Sequence, residues 1–177
     1  MRLRHLILVL ALLVTAKAKA QVGIYGTFTG THVGDGPFLS TSSGFWTLGG
    51  GVGVYDDFTH FGPLHLGADL RGTFLNSGGH KLNSVLGGVR LAVKPPVLPI
   101  KPYLQASVGA GSTNAATGSS ATSSGVQYQF FGGLDLTFFP RLDWRMVEVG
   151  GGQLHANGAN YTVTSIGTGI VFRLPIP

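Results

Sequence analysis

The chain of 177 residues contains no cysteine and few charged residues, and beyond its first 20 positions it has no long apolar run. The absence of cysteine excludes disulfide scaffolds and cysteine-ligated metal sites. Charged residues make up 11% of the sequence, whereas soluble domains carry about a quarter. Because Lys, Glu, Asp and Arg normally form the surface that faces water, this shortage indicates that most of the folded surface is not in water.

The first 20 residues have the three parts of a secretory signal peptide. A basic start precedes an apolar run at residues 6–14, and residues 18–20 read Ala-Lys-Ala, a small-x-small cleavage site. The run is too short for a membrane-spanning helix, which needs about 20 apolar residues. We therefore expect residues 1–20 to be a signal peptide that directs periplasmic transit, and residues 21–177 to form the mature domain.

Removal of this signal peptide changes the charge balance. The full chain has 12 Lys and Arg residues against 7 Asp and Glu residues, a net charge of +5. Four of the basic residues lie in the predicted signal peptide, so the mature chain is close to neutral. This balance gives no support for a nucleic-acid partner.

Apolar and polar residues alternate along most of the mature chain. In residues 63–75, apolar residues alternate with positions that include Asp69 and Arg71, the period of a β-strand with two unlike faces. Eight such segments are present, at approximately 22–31, 45–55, 63–75, 82–93, 102–112, 126–138, 144–153 and 161–174. Closed barrels are the only structures other than helices that can span a bilayer. The predicted fold class is therefore all-β, an eight-stranded antiparallel transmembrane β-barrel preceded by a cleavable signal peptide.

The alternation also assigns the charged residues to the barrel interior. A charge on the lipid face costs on the order of 2–4 kcal/mol near the membrane midplane, and buried charges need partners. Side chains fill the interior of an eight-stranded barrel. The predicted polar network of the lumen consists of Asp69, Arg71, Arg90, Gln105, Gln129, Asp135 and Glu148. Arg145 has the opposite parity to Glu148, so we expect it at the periplasmic rim, with its charge reaching the interface.

Aromatic residues near both ends of the segments predict two girdles at the membrane surfaces. The predicted girdle residues are Trp46, Tyr55, Phe74, Tyr128, Phe138, Trp144, Tyr161 and Phe172. The connections after the first, third, fifth and seventh segments are mostly polar and small, and the others are shorter on average and richer in proline. This difference predicts mobile extracellular loops at one end and tight periplasmic turns at the other.

The 29 glycines include the run GGGVG at residues 49–53. A phosphate-binding loop would need a strand-turn-helix context and usually a following Lys and Ser or Thr, and the sequence has neither here. Glycine at every second strand position instead makes room inside a narrow barrel. The histidines have no spacing typical of a metal site. We therefore expect neither a cofactor nor a metal.

The order of these segments is similar to that of a known family. The chain resembles the small OmpA/OmpX/opacity-type outer-membrane barrels in the stretches ADLRGTF, GGVRLAV followed by KPYLQASVGAG, GGLDLTFFPRLDWRMVEV and SIGTGIVFRL. Because of this resemblance, we expect the protein to lie in the outer membrane of a diderm bacterium. The expected partners are outer-membrane lipid and the outer-membrane assembly machinery, and the expected state is a monomer.

The sequence is compatible with three functions. The resemblance implies a structural or surface-interaction role through the extracellular loops, whose ligand is unknown. The narrow interior of an eight-stranded barrel predicts a lumen closed by side chains. A small porin-like channel is one alternative, and a lipid-modifying enzyme with a His and a Ser near the outer rim is another. His155 lies near that rim, but Asn157 stands two residues beyond it where such an enzyme would have Ser. We therefore expect no catalytic residues and no enzymatic activity.

Overall fold

Eight antiparallel strands form a closed barrel in a computed structural model of the chain. The structure describes residues 21–34, 44–114 and 122–174, so the predicted signal peptide lies outside the described residues. The strands are β1 (Gln21–Gly34), β2 (Phe45–Phe61), β3 (Leu64–Ser77), β4 (His80–Val93), β5 (Ile100–Thr113), β6 (Ser123–Phe139), β7 (Leu142–Ala156) and β8 (Ala159–Arg173). Each strand pairs with the next, and β1 pairs with β8. The prediction of an eight-stranded antiparallel barrel is confirmed.

The two ends of the barrel differ in which strand ends meet there. We call the end at which β1 begins and β8 ends the terminal end, and the opposite one the distal end.

Within the described ranges, no helix is long and apolar enough to cross a membrane.

Two of the predicted loops at the distal end are tight hairpins. β3 and β4 are joined by Gly78 and Gly79, and β7 and β8 are joined by Asn157 and Gly158. These four residues have φ between 51° and 82°, as type I′ hairpin turns require. The prediction of mobile loops at these two places is wrong, because both pairs tolerate positive φ and let the strands pair up to the turn. The loops predicted after the first and fifth segments lie largely outside the described residues.

Strand parity decides which predicted girdle residues face outward. Six of them are exposed on the outside of the barrel: Trp46, Phe74, Tyr128, Phe138, Trp144 and Phe172. Tyr55 and Tyr161, by contrast, are 2% and 6% exposed and face the interior. Tyr55 shares its face with Gly53, and Tyr161 shares its face with Val163, because residues two apart on a strand point the same way. The assignment of these two tyrosines to the girdle is therefore wrong.

Inward-facing glycines make room for three tyrosine rings. Each ring lies on one strand directly opposite a glycine of the neighbouring strand, in the pairs Gly23 with Tyr55, Gly53 with Tyr25, and Gly133 with Tyr103. A Cβ atom at Gly53 would lie 2.3 Å from Cζ of Tyr25. The ring therefore occupies the space that a side chain at the glycine would take, which explains these three glycines of the inner face.

Gly53→Val is expected to lower the free energy of unfolding by about 1–3 kcal/mol, the usual cost of overpacking a filled core. The new side chain would collide with the Tyr25 ring and with the carbonyl oxygen of Leu70, 2.8 Å from the Cβ position. Gly26→Val is the matched control, because Gly26 faces outward on β1 and a Cβ there meets nothing within 4 Å. Urea unfolding of the two variants measures the difference. Equal midpoints would show that the Tyr25 ring does not need this space.

Candidate functional site

A β-bulge in β7 turns two oppositely charged residues into the barrel interior. Arg145 and Glu148 are three positions apart, so regular alternation would place them on opposite faces. Between them β7 advances three residues while β8 advances two, from Gly169 to Gly167, which resets the parity of the strand. Arg145 is 1% exposed and lies in the interior. The prediction that Arg145 lies at the periplasmic rim is therefore wrong.

Three arginines and three carboxylates meet in the middle of the barrel. They are Arg71, Arg90, Arg145, Asp69, Asp135 and Glu148, each at most 6% exposed. The six side chains come from β3, β4, β6 and β7. Their formal charges cancel, and none of them has appreciable contact with water.

One ion pair of this group spans the full width of the barrel. Arg71 donates from Nη1 to Oε1 of Glu148 at 2.9 Å and from Nη2 to Oε2 at 3.0 Å. These two parallel bonds form the bidentate geometry that favours arginine with a carboxylate. The two residues lie on β3 and β7, four strands apart in a ring of eight. The pair therefore joins opposite walls.

Arg145 connects this pair to the remaining charges. Its Nη1 donates to Oε2 of Glu148 at 3.1 Å, and its Nε donates to Oδ1 of Asp135 at 3.0 Å. Arg90 donates from Nη2 to Oδ2 of Asp135 at 2.9 Å. The result is a continuous chain of alternating charge from Arg71 to Arg90. We call these residues, with Asp69, the ionic network.

Neutral side chains satisfy further carboxylate oxygens of the ionic network. Tyr25 donates its hydroxyl hydrogen to Oδ2 of Asp69 at 2.9 Å, and Gln105 donates from Nε2 to Oδ1 at 2.6 Å. Tyr103 donates to Oε2 of Glu148. Buried polar groups are tolerated when they are paired in this way, so these bonds help to hold the charges in a fixed arrangement.

Each arginine of the ionic network also faces two aromatic rings. Arg71 lies over Phe131 and Tyr25, Arg90 over Tyr55 and Tyr103, and Arg145 over Tyr25 and Tyr103, with Cζ 3.8 to 5.6 Å from the ring centroids. Such contacts stabilise a desolvated cation. The tyrosines that fill the glycine gaps are thus the same tyrosines that surround the guanidinium groups.

Gln129 is the one predicted network residue that the structure places apart. The structure brings the other six predicted residues together with Arg145, which was not predicted to be there. Gln129 donates from Nε2 to Oγ of Ser165 at 3.2 Å and accepts from Nε2 of Gln127 at 3.1 Å. These amides and hydroxyls form a separate layer nearer the distal end.

The distal end of the interior contains an apolar cluster, which the predicted polar network did not anticipate, beside the buried hydroxyl residues Thr31, Thr47, Thr113 and Ser123. We call this cluster the distal apolar cluster, and its buried members are Val33, Leu75, Leu82, Leu154, Ala156, Tyr161 and Val163. A cavity of about 20 Å³ lies between this cluster and the ionic network, lined by residues of both. That volume holds about one water molecule.

A second set of ion pairs lies at the terminal end. Nζ of Lys94 lies 2.6 Å from Oδ2 of Asp57, and Asp143 lies 2.9 Å from Nζ of Lys101 and 3.1 Å from Nη2 of Arg173. Lys94 follows β4 in the connection to β5. Burial lowers the pKa of Lys94, and the neighbouring carboxylate of Asp57 opposes that shift. Charged side chains therefore occupy the lumen at two separate levels.

These features define the class of protein to which the fold belongs. A closed barrel of eight antiparallel strands, apolar outside and charged inside, is the fold of the small outer-membrane β-barrels. No family model matches the chain, and no curated protein matches it either.

Solved structures of this class match the chain over most of its length. Neisserial surface protein A is 15% identical with a TM-score of 0.60, and the match covers 85% of this chain and 97% of that chain. Ail, the attachment invasion locus protein of Yersinia pestis, was solved in complex with the heparin analogue sucrose octasulfate. It is 13% identical with a TM-score of 0.57, covering 89% of this chain and 100% of that chain. The N-terminal barrel domain of Pseudomonas aeruginosa OprF is 13% identical with a TM-score of 0.51, covering 87% and 97%. At these identities the likeness establishes the fold alone.

Proposed function

We propose that the chain is an integral outer-membrane protein of a diderm bacterium with a structural or surface-interaction role. The observation that carries this proposal is the apolar belt around the barrel. On β5 the outward residues are apolar from position 100 to position 110, which spans about 25 Å at a rise of about 3.3 Å per residue and a tilt of about 40°. That height matches the apolar band of outer-membrane barrels.

The distribution of charge supports the same proposal. Among the described strand residues, the outward-facing positions carry a charge at Asp56 and Lys81 alone, and these lie towards opposite ends of the barrel. Charges near the membrane midplane are unfavourable on the lipid face but acceptable in a polar interior. This barrel has that distribution, which a protein surrounded by water would not need.

We further propose that the lumen is closed. The ionic network joins opposite walls at mid-height, and the distal apolar cluster fills a second level. An open aqueous channel would need a continuous path past both levels. The porin-like alternative is therefore less well supported than a barrel that acts as an anchor.

A surface-interaction role would depend on the longer distal connections, because two of the four are hairpin turns. We place the distal end outside the cell, because its two longest connections exceed every connection between strands at the terminal end, and outer-membrane barrels carry their longer loops outside. Residues 35–43 include Asp35 and Phe38, whereas residues 115–121 contain neither a charge nor an aromatic. Binding hot spots favour aromatic residues, so we assign the contacts to the first connection. Neither stretch contains Lys or Arg, so neither favours a sulfated ligand of the kind bound to Ail.

Membrane fractionation tests the proposal directly. We expect the protein in the outer-membrane fraction, resistant to extraction by urea or carbonate. On a denaturing gel, unheated samples are expected to migrate differently from heated ones, because a closed barrel stays folded in detergent until it is heated. A soluble periplasmic pool with no heat-dependent shift would overturn the proposal.

A further inference from the structure

Two histidines face each other where the lumen opens at the terminal end. His60 lies near the end of β2 and His65 near the start of β3, and the two residues pair directly across the hairpin that joins these strands. Their imidazole rings are stacked, with centroids 5.4 Å apart and planes inclined by 23°. His60 is exposed and His65 is half-buried, so solvent reaches the pair.

A β-bulge in β2 turns both imidazoles to the same face. Regular alternation from the buried Asp57 would place His60 on the outer face, because the two residues are three positions apart. Between Asp56 and Thr59, β2 advances three residues while β3 advances two, which resets the parity of the strand. His65 lies on the inner face of β3, and His60 lies opposite it. The separation of five residues in the sequence gives no sign of this arrangement.

The hairpin brings the two histidines close together. Gly62 and Pro63 form a two-residue connection, and Gly62 has a φ of 61°, as a type II′ turn requires at its first central position. In such a hairpin the residues that flank the turn form a hydrogen-bonded pair, so the next pair, the two histidines, is of the other type. In that type the Cα atoms lie about 4.5 Å apart and the side chains are closer. The backbone therefore fixes the approach of the two rings.

The ring nitrogens of both histidines are free to bind a ligand. Neither imidazole makes a hydrogen bond or an ion pair with a described residue of the chain. The charged groups that act on His65 from the neighbouring strands and connections are Lys94, Asp57 and Lys101. Lys94 pairs with Asp57 at 2.6 Å, and Lys101 pairs with Asp143 at 2.9 Å. Because each lysine is paired, little net charge remains to repel a cation.

We propose that His60 and His65 together bind one divalent transition-metal ion of the class of Zn²⁺. Neutral imidazole is a common ligand for such ions. With metal–nitrogen bonds of about 2.0–2.1 Å, two imidazoles on one ion have ring centroids about 5 Å apart, which is close to the observed 5.4 Å. In the described ranges, no group of three or more His, Asp or Glu side chains is arranged to hold a metal, so water completes the coordination of the ion.

This site goes beyond the anchor role proposed above and depends on the barrel fold alone. In the orientation proposed for the barrel, the two histidines face the periplasm. The chain contains no cysteine, so no thiolate of the chain competes for the ion. A site with two protein ligands holds an ion less tightly than a closed site with four, so we expect reversible binding.

Calorimetric titration of the folded, untagged chain from residue 21 with Zn²⁺ tests the site. The parent protein is expected to bind one ion per barrel. His60→Asn and His65→Asn each remove one of the two ligands and should weaken binding about tenfold or more, the scale on which even outer-shell partners of metal ligands act. His155→Asn is the matched control, because His155 is an exposed histidine of the distal end that pairs with Val126 and Asn160. This variant should bind Zn²⁺ like the parent.

Nuclear magnetic resonance of protein with labelled histidine locates the ion. Zn²⁺ should shift the imidazole signals of His60 and His65 and leave those of His155 in place. Zn²⁺ should also raise the urea midpoint of the parent but not that of His60→Asn, because a ligand that binds the folded state stabilises it. The heat-dependent mobility shift verifies that each variant is folded.

Four results would overturn the metal site. They are the absence of saturable Zn²⁺ binding by the parent, binding that survives both His60→Asn and His65→Asn, an equal loss of binding in His155→Asn, and one ion for every two barrels. The last result would assign the ion to a contact between two copies of the chain. Each of these results would leave the membrane location standing, since fractionation tests that location separately.

Discussion

Glu148→Ala is expected to lower the free energy of unfolding by about 3–5 kcal/mol, the cost of removing one partner of a buried ion pair. Glu148 accepts hydrogen bonds from Arg71, Arg145 and Tyr103. Its removal leaves two buried guanidinium groups without their shared carboxylate and breaks the connection between opposite walls. The loss is measured as the urea midpoint of the refolded protein, with the heat-dependent mobility shift reporting the folded fraction at each urea concentration.

Two further variants control for charge and for position. Glu148→Gln keeps the shape and one acceptor oxygen, so it should fold and lose less stability than Glu148→Ala. Lys81→Ala removes an exposed charge near the distal hairpin and should leave the midpoint nearly unchanged, as is usual for surface substitutions. If Glu148→Ala were no less stable than Lys81→Ala, the ionic network would have no part in holding the barrel together.

Much of the barrel could be predicted because strand alternation is a local property of the sequence. The eight segments, their antiparallel order and the inward parity of Asp69, Arg71 and Arg90 all follow from period-two patterning combined with the cost of a charge in lipid. The same patterning also places one leucine in the lumen. Leu82 shares the parity of Ser84 and Arg90 and therefore faces inward, although a leucine in such a strand is readily assigned to the lipid face.

The position of Arg145 could not be predicted from alternation alone. In the stretch DWRMVEV, Arg145 and Glu148 have opposite parity, and a bulge is required to turn both inward. The bulge depends on pairing with β8, where Thr168 donates from Oγ1 to the carbonyl oxygen of Arg145 at 2.8 Å. The cost of placing arginine on the lipid face was the available signal that one strand had to be irregular.

The tyrosine positions depend on contacts between strands that the linear sequence does not specify. Tyr25 and Gly53 are adjacent because β1 and β2 pair in one particular register. Without that register, the glycines suggest water-filled gaps in the lumen. With it, several of those gaps contain tyrosine rings that face the arginines. Burial of Tyr55 beside Arg90 follows from the same cause.

The unmodified protein is expected to show little or no steady conductance in planar bilayers. At mid-height the pair of Arg71 and Glu148 joins opposite walls, and at the distal end Leu82 belongs to the apolar cluster that fills the interior. An ion would have to displace a paired charge at the first level and pass the apolar cluster at the second, and hydrophobic constrictions block conduction by excluding water.

Because the two levels lie in series, opening one of them should not be enough. Arg71→Ala alone and Leu82→Ala alone are each expected to remain near the background current, although Arg71→Ala should also be less stable. The double variant is expected to give resolved single-channel events, because it removes the cross-lumen pair and reduces the distal cluster together. The heat-dependent mobility shift of each variant verifies that the barrel under test is folded. Large, stable conductance from the unmodified protein would show that water passes both levels, and the porin-like alternative would then replace the closed anchor.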